Sequence, residues 1–192
     1  MSRKFIISDT HFGHPNCAKW RGFDDYREHD ELIIKNWNSV VAPSDHVYLL
    51  GDVALGKAEF KDIRPRLNGA ITLVAGNHDE KGRRKKWKDL FNEIVYYKEI
   101  KYNKTKFVLC HYPIISWNCR EYGAIHCFGH VHNNDHRVNK KIWSNLGKSW
   151  NCCAEVNNFT PILLDDIWKH YQEWSCQYPS RWERFKHKVR RR

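Results

Sequence analysis

Short apolar runs rich in Ile, Val, Leu and aromatic residues recur at residues 5–8, 46–50, 70–75, 94–97, 106–110, 124–128 and 142–146. Runs this short, bounded by polar or glycine-bearing segments, predict β-strands. Between the first two, residues 25–40 carry Leu32, Ile33, Asn36, Trp37 and Val40 at three- and four-residue spacing, which predicts an amphipathic helix. A second helix is expected over 57–67, ended by Asn68 and Gly69, and a third begins within 83–91. Strand and helix alternate through the first half, the pattern of an α/β domain. From about Ile94 onward strands follow one another without helical spacing between them, so a second, more antiparallel sheet is expected on the same core.

A chain of 192 residues with 41% hydrophobic content has enough apolar material for one domain. The 14% aromatic content argues for folding despite a mean hydropathy of -0.76. No apolar run is long enough for a signal peptide or a membrane span, so no membrane partner is expected. Seven cysteines, scattered without a C-x-x-C pair or zinc-finger spacing, argue against a disulfide framework and for a reducing cytoplasm. The oligomeric state is not legible.

Charge changes the picture more. Lys and Arg number 33 against 22 Asp and Glu, a net charge of +11, which attracts polyanions. Six positive charges fall within residues 81–88 and six within 184–192, with no acid in either run. The first run either edges a binding pocket or is a solvated helix face. Trp87 within it, and Trp168, Tyr171, Trp174, Tyr178 and Trp182 further on, either offer stacking surfaces for bases or pack into the fold. Residues 169–192 read as an aromatic and basic extension of a domain covering 1–168, helical in part with a mobile end.

Metal-capable residues follow the predicted strands, where open α/β sheets place ligands. Asp9 and His11 follow the first, and Gly51 and Asp52 the second. Gly76, Asn77, His78 and Asp79 follow the third, His111 the fifth, and Gly129, His130 and His132 the sixth. Taken singly, Asp9-Thr10-His11 is a weak signal, Gly51-Asp52 is an ordinary turn, and Asn77-His78-Asp79 could cap a helix. Five such groups in order on one chain are not coincidence. Cys110 and Cys127, which precede two of them, read as small buried residues.

The ordered series D-T-H, G-D, G-N-H-D, H and G-H-V-H resembles the calcineurin-like metallophosphoesterase superfamily. The segments ISDTHFGH, VYLLGDVA, VAGNHD, LCHYPI and FGHVHNN are similar to its small bacterial and bacteriophage branch, over roughly residues 4–168. The resemblance implies a four-layer αββα sandwich of two mixed β-sheets flanked by helices. It also implies two divalent transition-metal ions, one held by Asp9, His11, Asp52 and His132 and the other by Asp52, Asn77, His111 and His130. A ligand set of imidazole, carboxylate and amide suits Mn first, with Fe, Zn, Co or Ni as alternatives. A hydroxide shared between the metals would attack phosphorus, with His78 as general acid oriented by Asp79. His14 either contacts phosphate or only caps the segment after it, and Arg83 and Arg84 would meet an approaching anion. The expected activity is hydrolysis of a phosphodiester or phosphomonoester in a phosphorylated small molecule, a nucleotide or a nucleic acid. The alternative is a nucleic-acid-binding or protein-interaction module on the same fold without turnover.

Overall fold

The computed structural model describes residues 2–56, 59–79, 86–133 and 147–177. In chain order its elements are β1 (Lys4–Ile7), α1 (Pro15–Trp20), α2 (Tyr26–Val40), β2 (His46–Leu49), α3 (Phe60–Ile63), β3 (Ala70–Val74), β4 (Glu93–Val95), β5 (Tyr97–Tyr102), β6 (Thr105–Cys110), β7 (Ile125–Phe128), β8 (Ser149–Asn151), β9 (Ile162–Leu163) and α4 (Leu164–Gln177). They build two mixed sheets flanked by helices. The first has strand order β4-β3-β2-β1-β9, parallel except for β9, and the second has order β5-β6-β7-β8.

The second sheet is mixed, and the more antiparallel pairing expected of it resides in its first pair of strands. Only β5 and β6, joined by the turn at Asn103 and Lys104, are antiparallel; β6 with β7 and β7 with β8 are parallel. The segments joining these later strands are long enough to carry the chain back before it pairs again, which a tight hairpin cannot do. The run expected as one strand over 94–97 is divided. Residues up to Val95 pair with β3, and Tyr97 onward pairs with β6, so Tyr96 is where the chain changes sheet. The strand expected over 142–146 and most of the basic run of 81–88 lie outside the described residues.

Three apolar clusters define the layers. Ile33, Ile34 and Trp37 of α2 and Phe60 and Ile63 of α3 pack on Phe5, Val47, Leu49, Ile71 and Leu73 from one face of the first sheet. The opposite face sends Ile6, Tyr48 and Val74 against Phe107, Leu109, Ile125 and Cys127 of the second sheet. Leu164, Ile167 and Tyr171 of α4 close the edge of this inter-sheet core, so the helix keeps packing beyond residue 168. Val108, Trp117 and Ala124 cover the outer face of the second sheet with a loop and a single 3-10 turn.

The buried stripe of α2 is His29, Asp30, Ile33, Ile34 and Trp37, rotated from the expected one and extended by two polar residues. Asp25 caps its N-terminus, its side chain accepting from the Arg27 amide at 2.8 Å. The helix expected over 57–67 is described as one α turn over Phe60–Ile63 continuing as a 3-10 turn over Arg64–Arg66. Pro65 lacks the amide that would continue the α pattern. Trp87 is 4% exposed and packs against Phe60 and Phe91, so it belongs to the core and offers no stacking face. Trp168 and Tyr171 likewise pack on the inter-sheet core. Among the described residues no helix is long and apolar enough to cross a membrane.

Phe60 is fully buried, stacked on Phe91 at 5.1 Å between ring centroids and flanked by Trp87 and Phe12. Phe60→Ala is expected to cost about 3–5 kcal/mol, because three surrounding rings cannot collapse into the space left. Urea denaturation followed by circular dichroism checks it, and a loss well under 1 kcal/mol would contradict this packing.

Candidate metal centre

The parallel strands of the two sheets point their carboxyl ends at one place. The backbone after β1 pairs with that after β2, the Asp9 amide donating to the Gly51 carbonyl at 3.0 Å and the His11 amide to the Asp52 carbonyl at 3.0 Å. The segment after β8 stitches the sheets together. The Cys152 amide donates to Phe128 at the end of β7, while the Ser8 amide donates to Cys152 and the Ala154 amide donates back to Ser8 at the end of β1. These bonds bring the ends of β1, β2, β7 and β8 within reach of one another.

Close approach of these loops dictates glycine at particular positions. A Cβ on Gly129 would lie 1.9 Å from Ser8 Oγ and 2.2 Å from Asp9 Oδ2. At Gly51, with φ of +83°, a Cβ would lie 2.5 Å from the Gly76 nitrogen. Side chains are nevertheless present at other left-handed positions: Asp9 has φ 55°, His11 48°, Asp52 52°, His130 69° and His132 54°. Such conformations cost of order 1–3 kcal/mol each and persist where their surroundings over-determine them.

All seven residues expected as metal ligands meet here. Asp9 Oδ1 lies 3.7 Å from His11 Nε2 and 3.7 Å from His132 Nε2, and His11 Nε2 lies 3.8 Å from Asp52 Oδ2. On the other side of Asp52, the same Oδ2 is 3.6 Å from His111 Nε2. His111 Nε2 and His130 Nδ1 lie 3.1 and 3.0 Å from Asn77 Oδ1. Two four-residue clusters therefore share the Asp52 carboxylate. Asp9, Asp52 and His111 offer ligand atoms within 4.8 Å of one another, as do Asp9, His132 and Cys153, and His11, His14 and Cys17.

The electrostatics suit cations. Asp9 is wholly buried; burial by itself would raise its pKa, yet the surrounding imidazoles of His11, His111 and His132 hold it well below the usual carboxylate range. Burial lowers the pKa of His130, and His111 beside it acts in the same direction. Asp9 Oδ1 and His11 Nε2 are buried without a hydrogen-bond partner. An unpaired carboxylate oxygen facing an unpaired imidazole nitrogen is costly, and a divalent cation between them satisfies both. The donor set fits the metals that the sequence suggests.

His78 sits at the mouth, with its side chain 44% exposed and Nε2 3.8 Å from Asp52 Oδ2. Its backbone amide donates to Asp52 Oδ1 at 2.9 Å. Asp79, which the resemblance has orienting His78, accepts from the backbone amides of Asp52, Val53 and Gly76 at 2.8, 3.1 and 2.8 Å, fastening the loop after β2 to the loop after β3. Burial raises its pKa against the pull of those amides. His14 lies beside His11, 5.6 Å between ring centroids, and occupies the N-cap of α1 without making a side-chain capping bond. Its pKa is lowered by burial and then by His11 and His78. Arg83 and Arg84 lie outside the described residues.

Several residues behind the site escaped the sequence reading. His132 Nδ1 meets Glu155 Oε1 at 2.7 Å, and Glu155 also meets Arg21. His132 has a raised pKa: burial lowers it, but the Glu155 and Asp9 carboxylates together outweigh that. Cys153 Sγ donates to Asp9 Oδ2 at 3.3 Å, as Ser8 Oγ does at 2.5 Å. Glu155 had a weak signal, being the one acid in the segment CCAEV; Arg21, between Trp20 and Gly22, had none.

Comparison with known proteins identifies the family. The profile of the calcineurin-like phosphoesterase superfamily domain matches residues 3–161. An uncharacterized protein of Methanocaldococcus jannaschii is 38% identical over 174 residues, which span 88% of this chain and 91% of that protein. The gene 66 protein of Mycobacterium phage L5 is 37% identical over 87 residues, 41% of each chain. Among solved structures, a protein of unknown function from Aquifex aeolicus has a TM-score of 0.72 at 28% identity, covering 88% of this chain and 99% of its own. With the whole set of strand-end motifs brought together and the family profile spanning most of its length, the chain belongs to the calcineurin-like phosphoesterase superfamily, hydrolases that use divalent metals.

Proposed function

We propose that the protein hydrolyses a phosphate ester with two divalent cations, one held by Asp9, His11, Asp52 and His132 and the other by Asp52, Asn77, His111 and His130. The observation that carries this reading is the position of Asp52 Oδ2, 3.8 Å from His11 Nε2 and 3.6 Å from His111 Nε2, so that one oxygen faces both clusters. Mixed nitrogen and oxygen donors favour Mn, Fe, Zn, Co or Ni over Ca or Mg, and Mn is the first choice. Such cations supply a strongly acidified water and neutralise charge on the phosphoryl oxygens.

The chain's own side chains do the rest. Asp79 keeps the loops carrying Asp52 and Asn77 in register through its three amide bonds. His78, exposed at the rim and close to Asp52, is placed to donate a proton to the leaving oxygen. His14, half-buried beside His11, is available to the phosphate. The net charge of +11 favours a nucleotide or nucleic acid as the source of the ester.

Asp52→Asn and His111→Ala are expected to lose bound metal and hydrolysis together. The check is metal content after dialysis against turnover of a generic diester and a generic monoester in the presence of Mn. An Asp52→Asn protein with full metal and full activity would end the proposal.

His78→Ala should keep its metal and lose about 10²-fold or more in rate on an ester with an alkoxide leaving group. The loss should be much smaller with p-nitrophenolate, which leaves without a proton. Equal losses on both esters would remove His78 from the acid role.

A further inference from the structure

Behind the first cluster lies a chain of buried charged groups that ends on His132. Arg21 stands at the C-terminal cap of α1 with 1% of its side chain exposed. Its Nη2 donates to the Asp9 carbonyl at 2.7 Å and to Glu155 Oε2. Its Nη1 meets His29 Nε2 at 2.8 Å and the Thr10 carbonyl at 3.5 Å. A guanidinium only donates, so His29 Nε2 must be the unprotonated acceptor of that bond. The proton of His29 then sits on Nδ1, which donates to Asp30 Oδ1 at 2.9 Å. Asp30 Oδ2 in turn accepts from the Gly13 amide at 2.8 Å. At the other end Glu155 accepts from His132 Nδ1, leaving His132 Nε2 turned toward Asp9 Oδ1.

Among the described residues, the side-chain hydrogen bonds of Arg21, Glu155, His29 and Asp30 run to one another, to the loop from Asp9 to Gly13 or to His132, and none runs directly to Asn77, His111 or His130. A buried ion pair costs desolvation that an apolar pair of the same volume avoids, so retaining one is weakly justified by stability alone. We propose that Arg21 and Glu155, backed by His29 and Asp30, are positioning residues dedicated to the first cation: they hold the left-handed turn at Asp9 and fix the rotation and tautomer of His132. Carboxylates that brace a ligating imidazole in this way typically contribute about 10–100-fold to metal affinity. The proposal rests on the two-cation reading above, and concerns only one of its two sites.

The test is a Mn titration by calorimetry of three proteins beside the wild type. Asn77→Ala, which removes a ligand of the second site, identifies which of two binding events belongs to which site. The double variant Arg21→Met/Glu155→Leu removes the two opposite charges together. Glu155→Gln keeps the volume and removes the charge. The expected result is a dissociation constant for the first site raised by about 10–100-fold in the double variant, moved the same way in Glu155→Gln, and unchanged for the second site in both. A thermal midpoint near that of the wild type in the double variant separates positioning from stability. Two wild-type affinities in either folded variant would overturn the proposal, as would equal weakening of both sites or failure of both variants to fold. A wild-type protein that binds no Mn at all would instead overturn the two-cation reading on which it stands.

Discussion

The Asp79 carboxylate accepts hydrogen bonds from the amides of Gly76, Asp52 and Val53 inside the protein, where no water competes for them. Loops cannot normally be buried this deeply, because their amides would be left unpaired. Here one side chain satisfies three of them and fixes the spacing between the ends of β2 and β3. Asp52 is thereby held with its Oδ2 toward both clusters, and the tight approach at Gly51 and Gly76 becomes tolerable. Removing that anchor would release the residue on which both halves of the site depend.

The second constraint is the crossing of the chain between sheets. Residues 152–154 bond both to the end of β1 in the first sheet and to the end of β7 in the second. The proposed ligands from one sheet, Asp9 and Asp52, and those from the other, His111, His130 and His132, are therefore set by backbone bonds and not by side-chain packing alone. Cys153 and Ser8 add contacts to Asp9 from the same seam.

Much of this was legible in the sequence, for physical reasons that also explain the misses. Strands β1, β2, β3, β6 and β7 are apolar runs because they are buried on both faces, and their ends carry the recognisable polar groups. The break at Tyr96 left no trace, since β-forming residues continue through it without glycine or proline. The short β8 and β9 are fixed by long-range pairing that no local pattern encodes. His29 and Asp30 fall one turn before Ile33, Ile34 and Trp37, on the buried face of α2, where two adjacent polar residues can be read as part of a site. Asp79 sits beside His78 in sequence, and its three bonds to the amides of Gly76, Asp52 and Val53 come from loop contacts that no local pattern encodes. Arg21 and Glu155, 134 residues apart, meet only in the fold.

Asp9, His11, Asp52, His130 and His132 adopt backbone angles that glycine would accept more readily than any of them. Each is therefore a position where the chain is locally less stable than it need be. Glycine would relieve the strain while removing a proposed ligand. Selection for stability alone would pull the sequence away from its present residues at these five places. A search for thermostable variants that scored only folding would dismantle the site first, and its gains would be counted in the same residues that make the protein a phosphoesterase-family member.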